Sequence, residues 1–315
     1  MNTYKLWAKT TSQERVLKGL FMSLSIPIID THMHLWDQKH SELKWVWLEK
    51  DAIHPILGNI DAIKSIAFTL NDLWAEARFS NIEGFVHIQA AIGSPDPVTE
   101  TRWLDEMAKT GPAPMRIVGD CALNGEQAIS QLEAHQESSL FVGVRDFNAE
   151  VMFAANEILP NYENSLQYLT KKELVFDLDC EWQNMSRAFE LAQRHPELLI
   201  VLEHIGFPRK RDDEYFENWS KAVQNLAKAP NVTMKLSGIG MTDPRFTKES
   251  LRKWAEVSLE AFGPNRCVLG SNWPVDRLFS SYDVIVGFMR DYISSLSAAE
   301  QELICRTNAK KLYRF

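Results

Sequence analysis

The sequence predicts a single-domain α/β protein built as a (β/α)8 barrel of the TIM type. Short runs of β-branched and apolar residues recur eight times along the 315 residues. Segments with helical periodicity separate most of these runs, and a polar side chain follows nearly every one. Eight strand–helix units favour a closed parallel barrel over an open sheet.

The predicted strands are short and strongly apolar. The sixth of them, residues 198–204, begins with an almost continuous hydrophobic run, which is typical of a strand buried on both faces. In chain order the predicted strands are residues 26–30, 82–89, 116–121, 140–145, 174–179, 198–204, 232–236 and 266–270.

Apolar residues at three- and four-residue spacing predict amphipathic helices between the strands. These are residues 99–109, 127–136, 184–194, 215–229, 248–262 and 282–294, with a final helix at 298–312. Residues 37–72 break the pattern: the segment is rich in tryptophan and charge, so it predicts a long loop over the barrel mouth. We assign residues 26–315 to the barrel and residues 1–25 to an N-terminal extension.

Composition limits the partners. The net charge is −8, which disfavours nucleic acid because phosphate binding needs a basic face. No run approaches the ~18 apolar residues needed to span a bilayer, and four scattered cysteines are typical of reduced thiols. We therefore expect a cytoplasmic protein. Its expected ligand is an anionic or polyhydroxylated small molecule, and a homodimer is a possible assembly.

The polar residues that follow the predicted strands indicate an enzyme. Reacting groups of such barrels lie where strands end and the following loops begin. A core built for stability alone would not need titratable or amide groups at nearly all of these positions. They include His32, His34, Gln89, Arg145, Asp179, His204 and Asn272.

Three histidines are the sharpest candidates for catalysis or metal binding. His32 and His34 are two residues apart on a strand, so both imidazoles face the same way. Such a pair suits a divalent metal or the polarisation of a carbonyl group; the alternative is two polar residues at a strand end. His204 precedes Gly206 and Pro208, which indicate a loop at the mouth, although a core histidine bonded to a backbone carbonyl is the other interpretation.

Arg145, Gln89 and Asp179 are further candidates. Arg145 suits the binding of a substrate carboxylate, and Gln89 follows the second strand near the expected cavity. Asp179 suits a general base or a metal ligand. Arg145 or Asp179 could instead be half of a structural ion pair.

Five ordered motifs carry a resemblance to a known family. They are Asp-Thr-His-Met-His-Leu-Trp-Asp at 30–37, Gly-Val-Arg at 143–145, His-Ile-Gly-Phe-Pro at 204–208, Lys-Leu-Ser-Gly at 235–238 and Gly-Ser-Asn-Trp-Pro-Val-Asp at 270–276. Together they resemble the amidohydrolase-2 branch of the amidohydrolase superfamily, which includes sugar-acid and pyrone-dicarboxylate lactonases. The resemblance implies a distorted barrel in which His32, His34 and His204 match the family's histidines. It also implies a divalent metal, usually zinc, in some members and metal-independent action in others.

Asn272 departs from the family pattern. The resemblance implies an aspartate there, acting as the general base that activates water, and an amide cannot take that proton at neutral pH. Asp276 in the same loop, or Asp179, is therefore the predicted base. We expect Asn272 to contact substrate together with Trp273 and Trp182, which would form an apolar wall; the alternative for the two tryptophans is packing at the barrel rim.

The resulting hypothesis is the hydrolysis of a lactone of a sugar acid or related carboxylic acid. His32 and His34, or a metal they hold, would polarise the ring carbonyl while a carboxylate accepts the proton of the attacking water. His204 would bind the carbonyl oxygen or protonate the leaving group, and Arg145 would pair with the substrate. The alternatives are a metal-dependent decarboxylase, an amide hydrolase, and a barrel that binds a sugar acid without turnover because of Asn272.

Overall fold

The architecture is a (β/α)8 barrel, as predicted. A computed structural model describes residues 26–155, 159–243 and 245–315; the proposed extension, residues 1–25, lies outside them. Eight parallel strands form one sheet in which each pairs with the next in chain order. They are β1 Ile28–Met33, β2 Ile82–Ile88, β3 Met115–Asp120, β4 Phe141–Arg145, β5 Val175–Leu178, β6 Leu199–Leu202, β7 Val232–Leu236 and β8 Cys267–Leu269.

Helices cover the outside of this sheet. They are α1 Leu70–Ala77, α2 Val98–Ala108, α3 Ala128–His135, α4 Ala149–Ala155, α5 Pro160–Lys171, α6 Met185–Arg194, α7 Asp213–Leu226, α8 Lys248–Phe262, α9 Tyr282–Ile293, α10 Ala298–Glu302 and α11 Asn308–Tyr313. The predicted set lacks α1, α4 and α5. The predicted final helix is interrupted, because a π-helical turn separates α10 from α11.

The segment after β1 is mostly irregular, as expected of residues 37–72, but both of its ends have regular secondary structure. Trp36–Asp37 pairs in antiparallel fashion with Ala67–Phe68, which returns the chain to the barrel wall. Helix α1 then begins within the predicted loop, because Thr69 and Asp72 form a capping box at its N-terminus.

The first and last strands close the barrel through side chains of β1. The buried carboxylate of Asp30 accepts hydrogen bonds from the backbone N–H of Ser271 (2.7 Å) and its hydroxyl (2.6 Å), and a third from Tyr282 (2.9 Å). The Thr31 hydroxyl donates to the carbonyl of Leu269 at 2.7 Å. These bonds hold the loop after β8 against the histidine motif of β1.

The barrel interior is divided into an apolar lower part and a polar upper part. Below, β-branched residues from seven of the eight strands form one buried cluster that Tyr313 of α11 joins from beneath. Above it, Lys235 is fully buried, and the Tyr313 hydroxyl donates to Asp177 at 3.3 Å. The polar layer therefore begins directly under the carboxyl ends of the strands. Among the described residues, no helix is both long enough and apolar enough to cross a lipid bilayer.

Candidate active site

A cavity of about 480 Å³ opens at the carboxyl ends of the strands. We call it the mouth cavity. Six of the predicted site residues line it: His34, Gln89, Arg145, Asp179, His204 and Asn272. The long loop after β1 contributes Trp47 and residues 54–57, so it does cover the barrel mouth.

His34 lines the mouth cavity, and its imidazole converges with that of the fully buried His32. Their Nε2 atoms lie 3.1 Å apart, and both rings are buried. Nδ1 of His34 lies 2.9 Å from the carbonyl oxygen of Ile88, so in the neutral ring Nδ1 carries the proton and Nε2 keeps its lone pair. Burial, together with Arg145, lowers the pKa of His34 to about 3. The pKa of His32 also lies well below its usual value, because burial and the neighbouring His204 disfavour its charged form.

A strained turn places His204 beside this pair. His204, Ile205 and Phe207 have φ values of 50°, 53° and 40°, in the left-handed region that non-glycine residues rarely adopt. The ring of His204 lies 4.2 Å from that of His32 between centroids. Its Nδ1 lies 2.9 Å from the Ser237 hydroxyl, and burial lowers its pKa to about 4. All three imidazoles are therefore neutral at physiological pH.

Two glycines of the sequence motifs permit this close packing. A Cβ at Gly238 would lie 2.6 Å from Nδ1 of His204, and one at Gly270 would lie 2.7 Å from Cβ of His32. Both distances are shorter than real Cβ contacts allow. Glycine at these two positions is thus a steric condition for the histidine arrangement.

Glu203 connects the histidines to buried cations. Its Oε2 accepts a hydrogen bond from Arg145 at 3.0 Å, and its Oε1 lies 3.4 Å from Nδ1 of His32 and 3.5 Å from Lys235. Burial raises the pKa of Glu203, but Arg145 and Lys235 outweigh that effect and lower it to about 2. Lys235 also pairs with Asp177, whose pKa burial raises to about 6. Glu203 is therefore ionised at the centre of the site.

This arrangement limits what Arg145 can do for a ligand. One Nη donates to Glu203, the other donates to the carbonyl of Gln89 at 2.6 Å, and the guanidinium lies over the ring of Phe147. Arg145 lines the cavity, but each of its two Nη atoms already donates one hydrogen bond to the protein. The predicted alternative of a structural ion pair is therefore present with Glu203, and the binding of a substrate carboxylate by Arg145 stays a prediction.

The residues His32, Glu203 and His204 form a group suited to a metal ion. One ligand atom from each lies within 4.8 Å of the others, and all three residues are buried. Nδ1 of His32 and Oε1 of Glu203 have no hydrogen-bond partner in the described chain. Two neutral imidazoles and one carboxylate match the donors of divalent transition-metal sites. The donor set therefore fits a divalent metal. His34 was predicted as a ligand but is not part of this group. Glu203 belongs to the group although it was absent from the predicted site.

Asn272 separates its neighbour Asp276 from the mouth cavity. Nδ2 of Asn272 donates to Oδ1 of Asp276 at 2.7 Å, which leaves Oδ1 of Asn272 as an acceptor. Asp276 instead lines a small cavity of about 20 Å³ next to Ser237 and Tyr292. Burial raises its pKa to about 7, against the effect of the Asn272 hydrogen bond. Of the two predicted bases, only Asp179 lines the mouth cavity.

Neither Trp273 nor Trp182 lines the mouth cavity. Trp273 is buried with its ring edge-on to Tyr282, 5.5 Å between centroids, and its carbonyl accepts a hydrogen bond from the backbone N–H of His34 at 2.8 Å. Asn272 has a φ of 57°, in the left-handed region, and this local turn separates the direction of Trp273 from that of Asn272. Trp182 packs against Tyr215. The apolar walls come from other residues, among them Trp47 and Phe207.

Fold and site together define a (β/α)8 barrel with a buried histidine–carboxylate centre at the carboxyl ends of its strands. The family model described as amidohydrolase matches residues 29–315. The chain belongs to the amidohydrolase family.

Relatives of known sequence match along nearly the whole chain. The uncharacterised protein y4mH of Sinorhizobium fredii is 32% identical over 298 residues, covering 92% of this chain and 99% of the relative. The L-fucono-1,5-lactonase of Burkholderia multivorans is 24% identical, with coverage of 90% and 95%. That of Burkholderia ambifaria is 26% identical, with coverage of 87% of each chain.

Solved structures share the fold. An amidohydrolase of Burkholderia multivorans with bound zinc superposes with a TM-score of 0.77 at 23% identity, covering 92% of this chain and 99% of the other. Amidohydrolase 2 of Bifidobacterium longum subsp. infantis gives a TM-score of 0.69 at 22% identity, covering 92% and 100%. These likenesses establish the common barrel.

Proposed function

We propose that the protein hydrolyses a lactone, the cyclic ester of a sugar acid or related carboxylic acid. The observation that carries the proposal is the convergence of three neutral imidazoles and an ionised Glu203 at the barrel mouth, where His34 and His204 form part of the floor of an open cavity and His32 and Glu203 are buried beside them. Such a floor suits an electrophilic site at which an ester carbonyl is polarised. The lactonases among the relatives, at 24% and 26% identity, support the same reaction.

His32, Glu203 and His204 are the residues that would hold a divalent cation, and we propose zinc. When bound, such an ion supplies Lewis-acid polarisation of the carbonyl. Its ligands are supported by neighbours: Ser237 fixes the ring of His204, and Arg145 fixes Glu203. Supporting partners of this kind commonly change metal affinity 10–100-fold when they are removed.

Asp179 is the general base in this proposal. It is half-buried and lines the same cavity as His34, His204 and Asn272, so it can reach a water molecule beside a bound lactone. Asp276 acts indirectly. By accepting from Nδ2 of Asn272, it turns Oδ1 of that amide into a fixed acceptor that can hold the attacking water.

A comparison of two carboxylates tests the assignment. Asp179→Asn should lower kcat on an aldonolactone by roughly 10²–10⁴-fold, the usual contribution of a general base. Asp276→Asn should have a smaller effect, because an asparagine at 276 can still accept from Asn272. Acid release from a panel of aldonolactones measures both variants. A larger loss for Asp276→Asn would reverse the two roles, and equal losses would contradict the assignment of Asp179 as the base.

Metal content and chelation complete the test. We expect purified protein to hold a divalent metal, Glu203→Gln to reduce its content, and chelation to reduce turnover. Full turnover by metal-free protein would instead mean that the histidines act directly on the carbonyl. Carbon dioxide release without lactone hydrolysis would favour a decarboxylase, and turnover of an amide would favour an amide hydrolase. Ligand-induced thermal stabilisation without any turnover would favour a binding barrel.

A further inference from the structure

The mouth cavity has a polar floor and apolar walls. The polar lining consists of the predicted site residues at the strand ends, with His54 and Arg209 nearer the rim. The other lining residues are Trp47, Pro55, Ile56, Leu57, Ala90, Ile92, Phe147, Phe207, Met241 and Val275. A site of this kind binds a ligand whose reacting end is polar and whose remaining surface is apolar.

The polar groups that the walls do possess are largely used within the protein. The indole N–H of Trp47 donates to the carbonyl of Ala90 at 2.8 Å. Nδ1 of His54 accepts from the backbone N–H groups of Ile56 and Leu57, each at 3.2 Å. Few donors or acceptors therefore remain on the walls for a ligand.

Contacts within the protein also hold the side chain of Arg209. Its Nε donates to Glu181 at 2.6 Å, and its guanidinium lies 3.9 Å from the centroid of the Phe207 ring. One face of the guanidinium is therefore covered by Phe207, and its Nη1 atom, which has no hydrogen-bond partner within the described chain, can still donate to a single polar group of a ligand.

The floor, in contrast, has hydrogen-bonding capacity to spare. Gln89 is only 1% exposed and lines the cavity, yet neither its side-chain nitrogen nor its oxygen has a partner within the described chain. A buried amide without partners is unfavourable by about 1–3 kcal/mol. A lactone group, which offers acceptors only, would satisfy its N–H₂ end at the floor.

We infer that the substrate is a lactone that carries an apolar alkyl or aryl substituent, which contacts the walls of the mouth cavity. The inference rests on the proposed lactonase function and narrows its substrate class. A lactone with a hydroxyl on most ring carbons would bury more hydroxyls against the walls than the few remaining wall groups can bond, and each hydroxyl left without a partner is unfavourable. An alkyl substituent gains from the same walls.

A series of δ-lactones tests the inference. The probes are δ-valerolactone, δ-hexalactone, δ-octalactone and δ-decalactone, with L-fucono-1,5-lactone as the hydroxylated comparison. Because each buried methylene contributes about 0.8 kcal/mol, kcat/KM should rise up to about fourfold per added methylene until the cavity is filled. It should exceed that for the hydroxylated lactone by at least roughly tenfold.

A pair of matched variants locates the effect. Val275 is 9% exposed in the wall, and Val275→Thr replaces a methyl group by a hydroxyl of similar size. The variant should narrow the ratio of kcat/KM between δ-decalactone and δ-valerolactone several-fold. Val284→Thr, at a residue on α9 that is 40% exposed, should leave that ratio as in the wild type.

The outcomes separate the inference from the proposed function. Preferred hydrolysis of the hydroxylated lactone, with no gain along the alkyl series, overturns the inference and leaves the lactonase proposal standing. If none of the lactones is hydrolysed, the lactonase proposal fails. Thermal stabilisation by the same probes then shows whether the mouth cavity prefers an apolar or a hydroxylated ligand. A larger rise in Tm with δ-decalactone than with the hydroxylated lactone supports an apolar ligand, and the reverse order overturns it.

Discussion

The two ends of the barrel have cavities of similar volume and very different character. The mouth cavity measures about 480 Å³, and a second cavity at the amino ends of β5 to β8 measures about 440 Å³. The charged residues of the lower cavity, such as Glu197, Lys311 and Arg314, are exposed to water. Arg266 there donates to three backbone carbonyls.

The difference between the ends lies in what is buried. At the mouth, Glu203 and Lys235 are fully buried, and the amide of Gln89 has unused hydrogen-bonding atoms. Exposed charges are solvated by water, so they have little effect on the chemistry of a site. A buried polar group without a hydrogen-bond partner lowers the stability of the protein unless a ligand bonds to it. Cavity volume alone therefore does not identify a site, and the state of its polar groups does.

The largest expected effect concerns the histidine floor. His32→Asn removes an imidazole that faces both His34 and Glu203, so kcat/KM for a lactone substrate should fall roughly 10³-fold, as when electrostatic groups of other enzymes are removed. Steady-state acid release measures it. A loss of less than tenfold in a folded variant would place the chemistry elsewhere in the mouth cavity.

The buried charge cluster should dominate stability. Arg145→Met leaves Glu203 buried without its hydrogen-bonded cation, so the free energy of unfolding should fall by roughly 3–5 kcal/mol. The control is Lys310→Met, which breaks a half-exposed pair with Glu83 near the lower end and should change it by less than about 1 kcal/mol. Urea-induced unfolding compares the two, and similar losses would mean that the ends do not differ in this respect.

The pH dependence of stability gives a third comparison. Because burial raises the pKa of Asp276 to about 7, its contribution to folding is full below the unfolded value near 4 and is lost as the pH rises towards 7. Asp276→Asn has no such loss, so it should be more stable than the wild type by roughly 2–4 kcal/mol at pH 8 and nearly equal to it at pH 4. Urea unfolding at both pH values measures this difference, and a constant difference would contradict the shifted pKa.

The smallest effect should come from the lower cavity. Lys311→Ala removes an exposed cation from its lining, and surface substitutions of this kind usually stay within about 0.5 kcal/mol. We expect kcat/KM and Tm to match those of the wild type. A loss of activity would show that the lower cavity contributes to the reaction and would end the contrast between the two ends.

Most of the fold is predictable from the sequence because each barrel strand is a short apolar run of its own. The helices missing from the prediction, α1, α4 and α5, lie in connections where a single irregular segment or a single helix was expected. Helix α5 begins with Pro160 at its first turn and buries Tyr162, Leu166 and Leu169, yet it follows the short helix α4 within the same connection. The π-helical turn before α11 left no mark in the apolar spacing of residues 298–312, which predicted one continuous helix.

The site was predictable to the level of strand ends, and less so in detail. His32, His34 and His204 follow from spacing and position. The contribution of Glu203 depends on the left-handed turn at His204 and Ile205, which fixes where two successive side chains point. The expected tryptophan wall is absent from the lining of the mouth cavity for the same reason. The directions of Trp182 and Trp273 depend on loop conformation rather than on residue type.

The closure of the barrel has a consequence for biosynthesis. Asp30 and Ser271 are 241 residues apart in the chain, and the backbone N–H of Asn272 donates to the carbonyl of His32 at 2.8 Å. Contacts of such high sequence separation form late in folding. A nascent chain on the ribosome therefore holds the histidine motif from the start, but it has no completed reaction centre until its last strand has emerged and docked against the first.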